Sequence, residues 1–84
     1  MAELMYKGSL NSNDNLDNYK KDGSYTTYSS INQPSEYEIW TGLLRVFRIG
    51  NTSAIQLWTT NVENRGLYIR ICKSDGWSSW TNIL

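Results

Sequence analysis

Apolar and polar residues alternate along several short segments of the chain, which is the period of a β-strand with one buried face. Turn-forming Gly, Asn and Asp residues stand at the breaks, and successive segments recur at a spacing of roughly a dozen residues. The pattern predicts strands at the following positions: Ser24–Ser30, Gly42–Ile49, Ala54–Thr60, Leu67–Lys73 and a short last strand from Trp77 or Trp80 to Leu84. The sequence therefore predicts one mostly β domain over residues 1–84, a small antiparallel β-meander.

The segments between these strands are rich in polar residues and turn formers. Leu4–Leu10 is either a further short strand or an extended lead-in. Asp14 or Asn15 can cap one helical turn, because both side chains accept hydrogen bonds from free backbone N–H groups. We therefore expect at most one short helical turn, near residues 15–20. Ile31–Tyr37 and Asn61–Gly66 are predicted to be loops.

Period-2 sorting divides the side chains of the last two long strands between two faces. The aliphatic side chains share one face and are predicted to form the core: Ile55, Leu57, Leu67, Ile69 and Ile71. The opposite face carries Gln56, Trp58, Thr60, Tyr68, Arg70 and Cys72. Because rings, an amide and a guanidinium share that second face, we expect it to be covered too. Three covers stay open: the N-terminal segment with Arg70 stacked on an aromatic ring and paired with an acid, a second subunit, or a ligand.

Composition narrows the possible functions. The 84 residues contain no His, one Cys, and 8 basic against 8 acidic side chains, for a formal net charge of 0. Without His, the commonest general base and metal ligand are missing, and without a basic excess general nucleic-acid binding is not expected. Cys72 has no disulfide partner in the chain and is expected to be a packing residue. No apolar run is long enough for membrane insertion, and no signal peptide is recognised.

Charge is distributed unevenly between the two halves of the chain. Residues 1–38 hold six acids and three lysines, whereas residues 39–84 hold five bases and two acids. The halves either pack together with complementary signs or meet head to tail between subunits. Asp14, Asp17 and Asp22 resemble a calcium loop only loosely, because the order of ligands that such a loop needs is missing. Helix capping is the simpler explanation for them, and no metal or other cofactor is expected.

Aromatic and hydrogen-bonding side chains suggest a carbohydrate site. An indole or phenol ring can stack on the C–H face of a sugar while amides and charged groups bind its hydroxyls. The candidate stacking residues are Trp77, Trp58 and Tyr68, and the candidate hydrogen-bonding residues are Gln56, Arg70 and Asp75. The alternative is that the tryptophans fill the end of a small core, and this alternative applies to Trp80 more strongly than to Trp77.

A set of short motifs resembles the pyocin-knob type domain of bacteriophage tail fibres and receptor-binding proteins. In order, the motifs are residues 15–19 (NLDNY), 23–25 (GSY), 42–46 (GLLRV), 55–58 (IQLW), 66–70 (GLYIR) and 77–80 (WSSW). The family's Gln, Tyr-x-Arg and Trp-x-x-Trp pattern falls on Gln56, Tyr68, Arg70, Trp77 and Trp80. The resemblance covers nearly the whole chain, from about Leu10 to Leu84.

The resemblance implies a β-rich module without catalytic activity, part of a virion or of a prophage-encoded particle. Its partners would be a bacterial cell-surface glycan or other receptor and further tail-fibre subunits, in a homo-oligomer, usually a trimer. The chain would then be either a fragment of a longer fibre protein or a short separate subunit. One alternative is a purely structural trimerisation or connecting knob, with Trp58, Tyr68 and Arg70 buried between subunits. A third alternative, a fibre-borne glycan hydrolase, would need two carboxylates across a cleft.

Overall fold

The domain is a single sheet of seven strands, seen in a computed structural model that describes residues 6–34, 41–60 and 66–83. The strands are β1 (Tyr6–Leu10), β2 (Gly23–Tyr28), β3 (Thr41–Arg48), β4 (Ala54–Thr60), β5 (Leu67–Lys73), β6 (Gly76–Trp77) and β7 (Thr81–Asn82). They pair in the order β1-β2-β3-β4-β5-β6, and β7 also pairs with β5. The predicted mostly β fold is confirmed, and the bounds of β4 and β5 are those expected from the sequence.

From β2 to β7 every pairing is antiparallel, as a meander requires. The first strand departs from the predicted pattern, since β1 runs parallel to β2. Parallel neighbours need a crossover connection, and residues 11–22 provide one. This crossover contains a 3₁₀ turn at Leu16–Asn18, where the predicted helical turn lies. The side chain of Asn15 caps the turn by accepting a hydrogen bond from the backbone N–H of Asp17 (2.9 Å).

The two faces of the sheet differ sharply in burial. We call one the covered face; its residues on β3, β4 and β5 are Leu44, Val46, Ala54, Gln56, Trp58, Thr60, Tyr68, Arg70 and Cys72, all buried. The other is the open face, with Leu43, Arg45, Phe47, Ile55, Leu57, Thr59, Leu67, Ile69 and Ile71, all half-buried or exposed. The prediction that the aliphatic row forms the core was therefore wrong.

The core forms between the covered face and the segments that cross it. Leu10 and Leu16 pack with the buried apolar residues of the sheet, and half-buried rings surround them: Tyr19, Tyr25, Trp77 and Trp80. The indole N–H of Trp58, which is fully buried, donates to Thr27 Oγ1 (2.9 Å). The large rings on this face bury more area than the aliphatic chains opposite. Their polar atoms find partners, which makes this face the interior.

The loop that follows β2 holds the crossover against the sheet. The backbone of Ile31 accepts from the N–H of Leu16 (3.0 Å) and donates to the carbonyl of Asp14 (2.8 Å). Ser30 Oγ donates to the carbonyl of Leu10 (2.9 Å). The loop predicted over Ile31–Tyr37 is confirmed as far as residue 34, whereas residues 35–37 and residues 61–65 of the other predicted loop lie outside the described residues.

Candidate functional site

Arg70 lies at the centre of the covered face, where an amide, a carboxylate and two indole rings hold its guanidinium. Its Nε donates to Gln56 Oε1 (2.8 Å), and Nη1 forms an ion pair with Asp17 Oδ1 (2.9 Å). Its Cζ lies 4.3 Å from the ring centroid of Trp77 and 4.6 Å from that of Trp80. We call these five residues the Arg70 cluster. Cover by the N-terminal segment, with Arg70 stacked and paired with an acid, is thus the alternative that the structure confirms.

The amide of Gln56 fastens the 3₁₀ turn to the sheet. While its oxygen accepts from Arg70, its Nε2 donates to the carbonyls of Leu16 (2.7 Å) and Tyr19 (2.9 Å). The indole N–H of Trp77 donates to the carbonyl of Asp17 (3.1 Å) from the other side. A buried polar group is tolerated when its hydrogen bonds are made, so these contacts allow Gln56 to be fully buried.

Burial lowers the pKa of the Arg70 guanidinium, while the nearby carboxylate of Asp17 acts in the opposite direction. The group nevertheless stays charged, because arginine keeps its proton inside proteins. Its Nη2 has no hydrogen-bond partner among the described residues. The ion pair joins an acid of the N-terminal half to a base of the C-terminal half, which agrees with halves that pack by complementary charge.

Four of the six predicted glycan contacts belong to the interior. Trp58 and Gln56 are 0% exposed, Arg70 is 5% exposed and Tyr68 is 6% exposed. A ring that solvent does not reach offers no face to a sugar, so this part of the site prediction is corrected: these side chains hold the fold together. The same burial removes Trp58, Tyr68 and Arg70 from a contact between subunits, because they are already packed within one chain.

The remaining two predicted residues, Asp75 and Trp77, line a cleft at the β5–β6 turn. This hairpin cleft, of about 360 Å³, is lined by Ile71, Lys73, Asp75, Gly76, Trp77 and Ser78. Asp75 is exposed and Trp77 is half-buried. One side of the Trp77 ring stacks on Arg70, and its N–H donates to the carbonyl of Asp17. Trp77 therefore acts first as a structural residue, as Trp80 does through its N–H bond to the carbonyl of Asn32 (2.8 Å).

A larger cleft, of about 440 Å³, lies between the residues that follow the 3₁₀ turn and the β3–β4 turn. We call it the tyrosine cleft; its lining residues are Asn18, Tyr19, Lys20, Lys21, Tyr25, Arg48, Gly50, Asn51, Thr52 and Ser53. The rings of Tyr19 and Tyr25 meet edge to face, with centroids 5.0 Å apart and planes at 68°. The cleft thus combines aromatic surface with amide, hydroxyl and cationic groups.

Arg48 ties the two walls of the tyrosine cleft together. Its Nε donates to the carbonyl of Gly50 (2.9 Å), which fixes the side chain along the β3–β4 turn. Its backbone N–H donates to Asp22 Oδ1 (2.7 Å), which anchors the segment that carries Lys20 and Lys21. The turn itself is closed by a hydrogen bond from the N–H of Ile49 to the carbonyl of Ser53 (3.0 Å).

Both tyrosines of the cleft keep their hydroxyl protons at neutral pH. Burial is the largest cause that raises the pKa of Tyr19, and the charge of Asp14 raises it further. Burial also raises the pKa of Tyr25, with a smaller contribution from Tyr19. Each phenol therefore presents a neutral hydroxyl that can donate or accept a hydrogen bond.

Sequence reasoning missed the tyrosine cleft. The adjacent Tyr19, Lys20 and Lys21 carry a signal, an aromatic ring beside two cations, but on their own they are typical of a solvated loop. Arg48 and Asn51 lie about thirty residues further along the chain, at the end of β3. They approach the lysines because Gly23 pairs with Val46 in the sheet, and this register follows from three-dimensional packing.

The acids considered for calcium have other roles. Asp14 Oδ2 accepts from the backbone N–H of Asn11 (2.9 Å), and Asp17 is paired with Arg70. Within residues 6–34, 41–60 and 66–83, no group of three or more His, Cys, Asp or Glu side chains is arranged to hold a metal ion. In the same ranges, no helix has both the length and the apolar character needed to cross a membrane. Cys72 is a buried free thiol.

Comparisons with protein-family models, with curated proteins and with solved structures found no match to this chain. The geometry of the clefts, the packing of the Arg70 cluster and the residue pattern are therefore the basis for a functional proposal.

Proposed function

We propose that this chain is a tail-fibre or receptor-binding module of a phage or prophage particle, related to the pyocin-knob type, which recognises a bacterial surface glycan or positions the part that does. The order of its motifs supports this proposal. Gln56, Arg70, Trp77 and Trp80, which carry much of the resemblance, contact one another through Arg70. Residues that a family shares in order to hold its fold are expected to meet in this way, leaving the clefts outside the cluster free to differ in specificity.

The observation that carries the glycan proposal is the tyrosine cleft. Sugar sites combine a ring that contacts C–H groups with side chains that bind hydroxyls. Tyr19 and Tyr25 supply the rings, and Asn18, Asn51 and Thr52 supply amides and a hydroxyl at the wall. An open cleft of this size suits one or two sugar units held weakly, and several copies on one particle would raise the avidity by roughly 10²–10⁴.

Binding of the intact chain to an array of bacterial surface glycans tests the proposal, with the protein displayed in several copies. Asn51→Trp fills the tyrosine cleft from its exposed rim and leaves the core contacts of the tyrosines in place, so we expect it to abolish binding. Asn13→Trp is the matched control, because Asn13 is exposed and does not line the cleft.

Asp75→Ala shows which of the two clefts binds the glycan, because Asp75 is exposed and lines only the hairpin cleft. Loss of binding in Asp75→Ala together with normal binding by Asn51→Trp would move the site to the hairpin cleft. Absence of binding to every glycan by the unmodified chain would contradict recognition by this module.

A second candidate function, the structural knob, is favoured by the open face. Leu43 is 49% exposed and Ile71 is 37% exposed, and both lie on that face with further half-buried aliphatic side chains. Apolar patches of this kind are typical of protein–protein contacts, and a domain of this size gains stability when it buries more surface. A second copy of the chain would fit there, as part of a homo-oligomer that supports recognition elsewhere.

Sedimentation velocity at increasing protein concentration tests the structural role. We expect the chain to associate and the Leu43→Lys/Ile71→Lys variant to remain monomeric, since two ammonium groups would have to be desolvated in the contact. Ile31→Lys is a control, because Ile31 is a 45% exposed apolar residue in a loop. A monomer at all concentrations would contradict a contact between copies on the open face.

A further inference from the structure

The tyrosine cleft has a definite electrostatic character. Of the ten described residues that line it, Lys20, Lys21 and Arg48 carry positive charge, and none of these ten carries a carboxylate. Lys20 and Lys21 are exposed. The chain as a whole has a formal net charge of 0, so this positive charge is a local property of one concave surface.

The side chain of Arg48 is held in place by uncharged groups within the part of the chain that the structure describes. Its side-chain hydrogen bonds go to the carbonyls of Gly50 (2.9 Å) and Asn51 (3.4 Å), both of which are uncharged. A guanidinium held by neutral acceptors keeps its charge available to a ligand, and it is already ordered before the ligand arrives.

Three acids of the described segment 11–22 are occupied by other contacts. Asp22 Oδ1 accepts from the backbone N–H of Arg48, and Asp17 pairs with Arg70. Asp14, whose charge reaches Tyr19, accepts from the backbone N–H of Asn11. These carboxylates reduce the positive potential but do not line the cleft, so an anionic group in the cleft would meet cations first.

We propose that the tyrosine cleft binds an acidic glycan, in which a carboxylate or phosphate group pairs with Lys20, Lys21 and Arg48 while sugar C–H groups pack on Tyr19 and Tyr25. This inference rests on the proposed glycan-binding function and adds the class of ligand. Carboxylate and phosphate share the required chemistry, an anionic oxygen that accepts charge-assisted hydrogen bonds.

Three probes of matched length test the inference: a polyuronate oligomer, a polyol-phosphate oligomer and a neutral glucan. We expect at least one acidic oligomer to bind more tightly than the glucan, and the identity of that oligomer distinguishes carboxylate from phosphate. Its affinity should fall as salt is raised, because exposed charge pairs are screened. Lys20→Gln/Lys21→Gln should weaken it by roughly 3- to 30-fold, as expected for the loss of two exposed pairs.

Lys7→Gln/Arg45→Gln is the matched control, since it removes two exposed cations that line neither the tyrosine cleft nor the hairpin cleft. Equal weakening by both double variants would overturn the inference, because the effect would then come from net charge. Equal binding of the glucan and the acidic oligomers would also overturn it while leaving glycan recognition intact. Tighter binding of a single-stranded oligonucleotide of equal charge would overturn it in favour of nucleic acid, and binding of no glycan would remove the proposed function itself.

Discussion

The two faces of the sheet differ in an unexpected way: the face with polar and charged side chains is buried, and the aliphatic face is exposed. The covered face holds an amide, a guanidinium and two large rings, yet it is the interior. The open face holds a row of Ile and Leu side chains, yet solvent reaches each of them. The faces differ in how their polar atoms are paired and in which segments cross them, so hydropathy alone does not identify the core of so small a sheet.

Pairing accounts for the unusual interior. An isolated buried charge is strongly unfavourable, whereas one that is paired and hydrogen-bonded is tolerated. Arg70 receives a carboxylate, an amide oxygen and two ring faces, and Gln56 makes hydrogen bonds through both ends of its amide. These contacts reach both the crossover and the C-terminal tryptophans. The same residues that are costly to bury thus determine which segments cover the sheet.

The largest expected effect comes from Arg70→Ala. It leaves the Asp17 carboxylate and the Gln56 oxygen without their partner and opens a space between Trp77 and Trp80. Leaving the buried Gln56 oxygen unpaired costs about 1–3 kcal/mol. The lost packing between the two rings adds to this, and the ion pair adds less, because the Asp17 side chain is 39% exposed. The total stability of a chain of this length is roughly 4–13 kcal/mol. Urea denaturation should show a partly or wholly unfolded variant. Arg45→Ala removes the same side chain from the open face, where Arg45 is exposed, and an equal loss there would contradict the assignment of the faces.

Neighbouring leucines give the next comparison. Leu44 is 0% exposed on the covered face, whereas Leu43 is 49% exposed on the open face. Leu44→Ala should lower the free energy of unfolding by about 2–5 kcal/mol, because it leaves a cavity. Leu43→Ala should cost less than about 1 kcal/mol at low protein concentration, where copies do not associate. The reverse order would show that the aliphatic face is the core after all.

Gly42→Ala examines how closely the covered face is packed. A Cβ at Gly42 would collide with the Trp58 ring and lie 2.7 Å from the carbonyl oxygen of Thr59. Because neither the backbone nor a buried indole moves easily, we expect thermal denaturation to show a loss of about 1–3 kcal/mol. At Gly50 the nearest atom to an added Cβ is 3.9 Å away, so Gly50→Ala should leave the melting temperature nearly unchanged. Similar melting temperatures for the two variants would argue against the close Gly42–Trp58 contact.

The smallest effect concerns alkaline pH. The pKa of Tyr25 is raised in the folded state above its ordinary value of 10.0. The folded protein therefore holds this proton to a higher pH than the unfolded chain, and the stability that results is present below pH 10.0 and lost as the pH rises through the folded pKa. Urea denaturation at a series of alkaline pH values should show a shallower decline for Tyr25→Phe than for the unmodified chain.

Tyr6 is expected to change the stability at alkaline pH in the opposite direction, in the same experiment. Hydrogen bonds with Ser9 and Thr26 lower the pKa of its exposed hydroxyl. Its ionisation therefore favours the folded state as the pH rises, and Tyr6→Phe should make the decline steeper. A Tyr25→Phe variant that follows the same curve as the unmodified chain would contradict the role of burial at Tyr25.

The strands could be predicted from the sequence because their signals are local. Alternation and turn residues define β4 and β5 to the residue, and Asn15 marks the start of the 3₁₀ turn. The parallel pairing of β1 was not predicted, since the direction of a short edge strand depends on the path of the crossover. The aliphatic face was mistaken for the core because alternation identifies two faces without saying which one the crossover covers.

The candidate site was predictable only in part. The stacking and acid pairing of Arg70 were among the expected alternatives, because a covered guanidinium is tolerated when it is paired with an acid and packed on rings. The interior position of Trp58 and Tyr68 was also among these alternatives, but the sequence could not select it, since a ring that packs in a core and a ring that binds a sugar follow the same residue pattern. The tyrosine cleft depends on Lys20 and Asn51 lining the same surface, and the register between β2 and β3 brings their segments together.

The Arg70 cluster also has a consequence for the order of events during folding. The hydrogen bond between Trp77 and Asp17 joins positions 60 residues apart in the chain, and long sequence separations slow the search for the native state. During synthesis, the 3₁₀ turn can bond to Trp77 only after residue 77 has left the ribosome. Closing the core around the 3₁₀ turn is thus a late step in the folding of this domain.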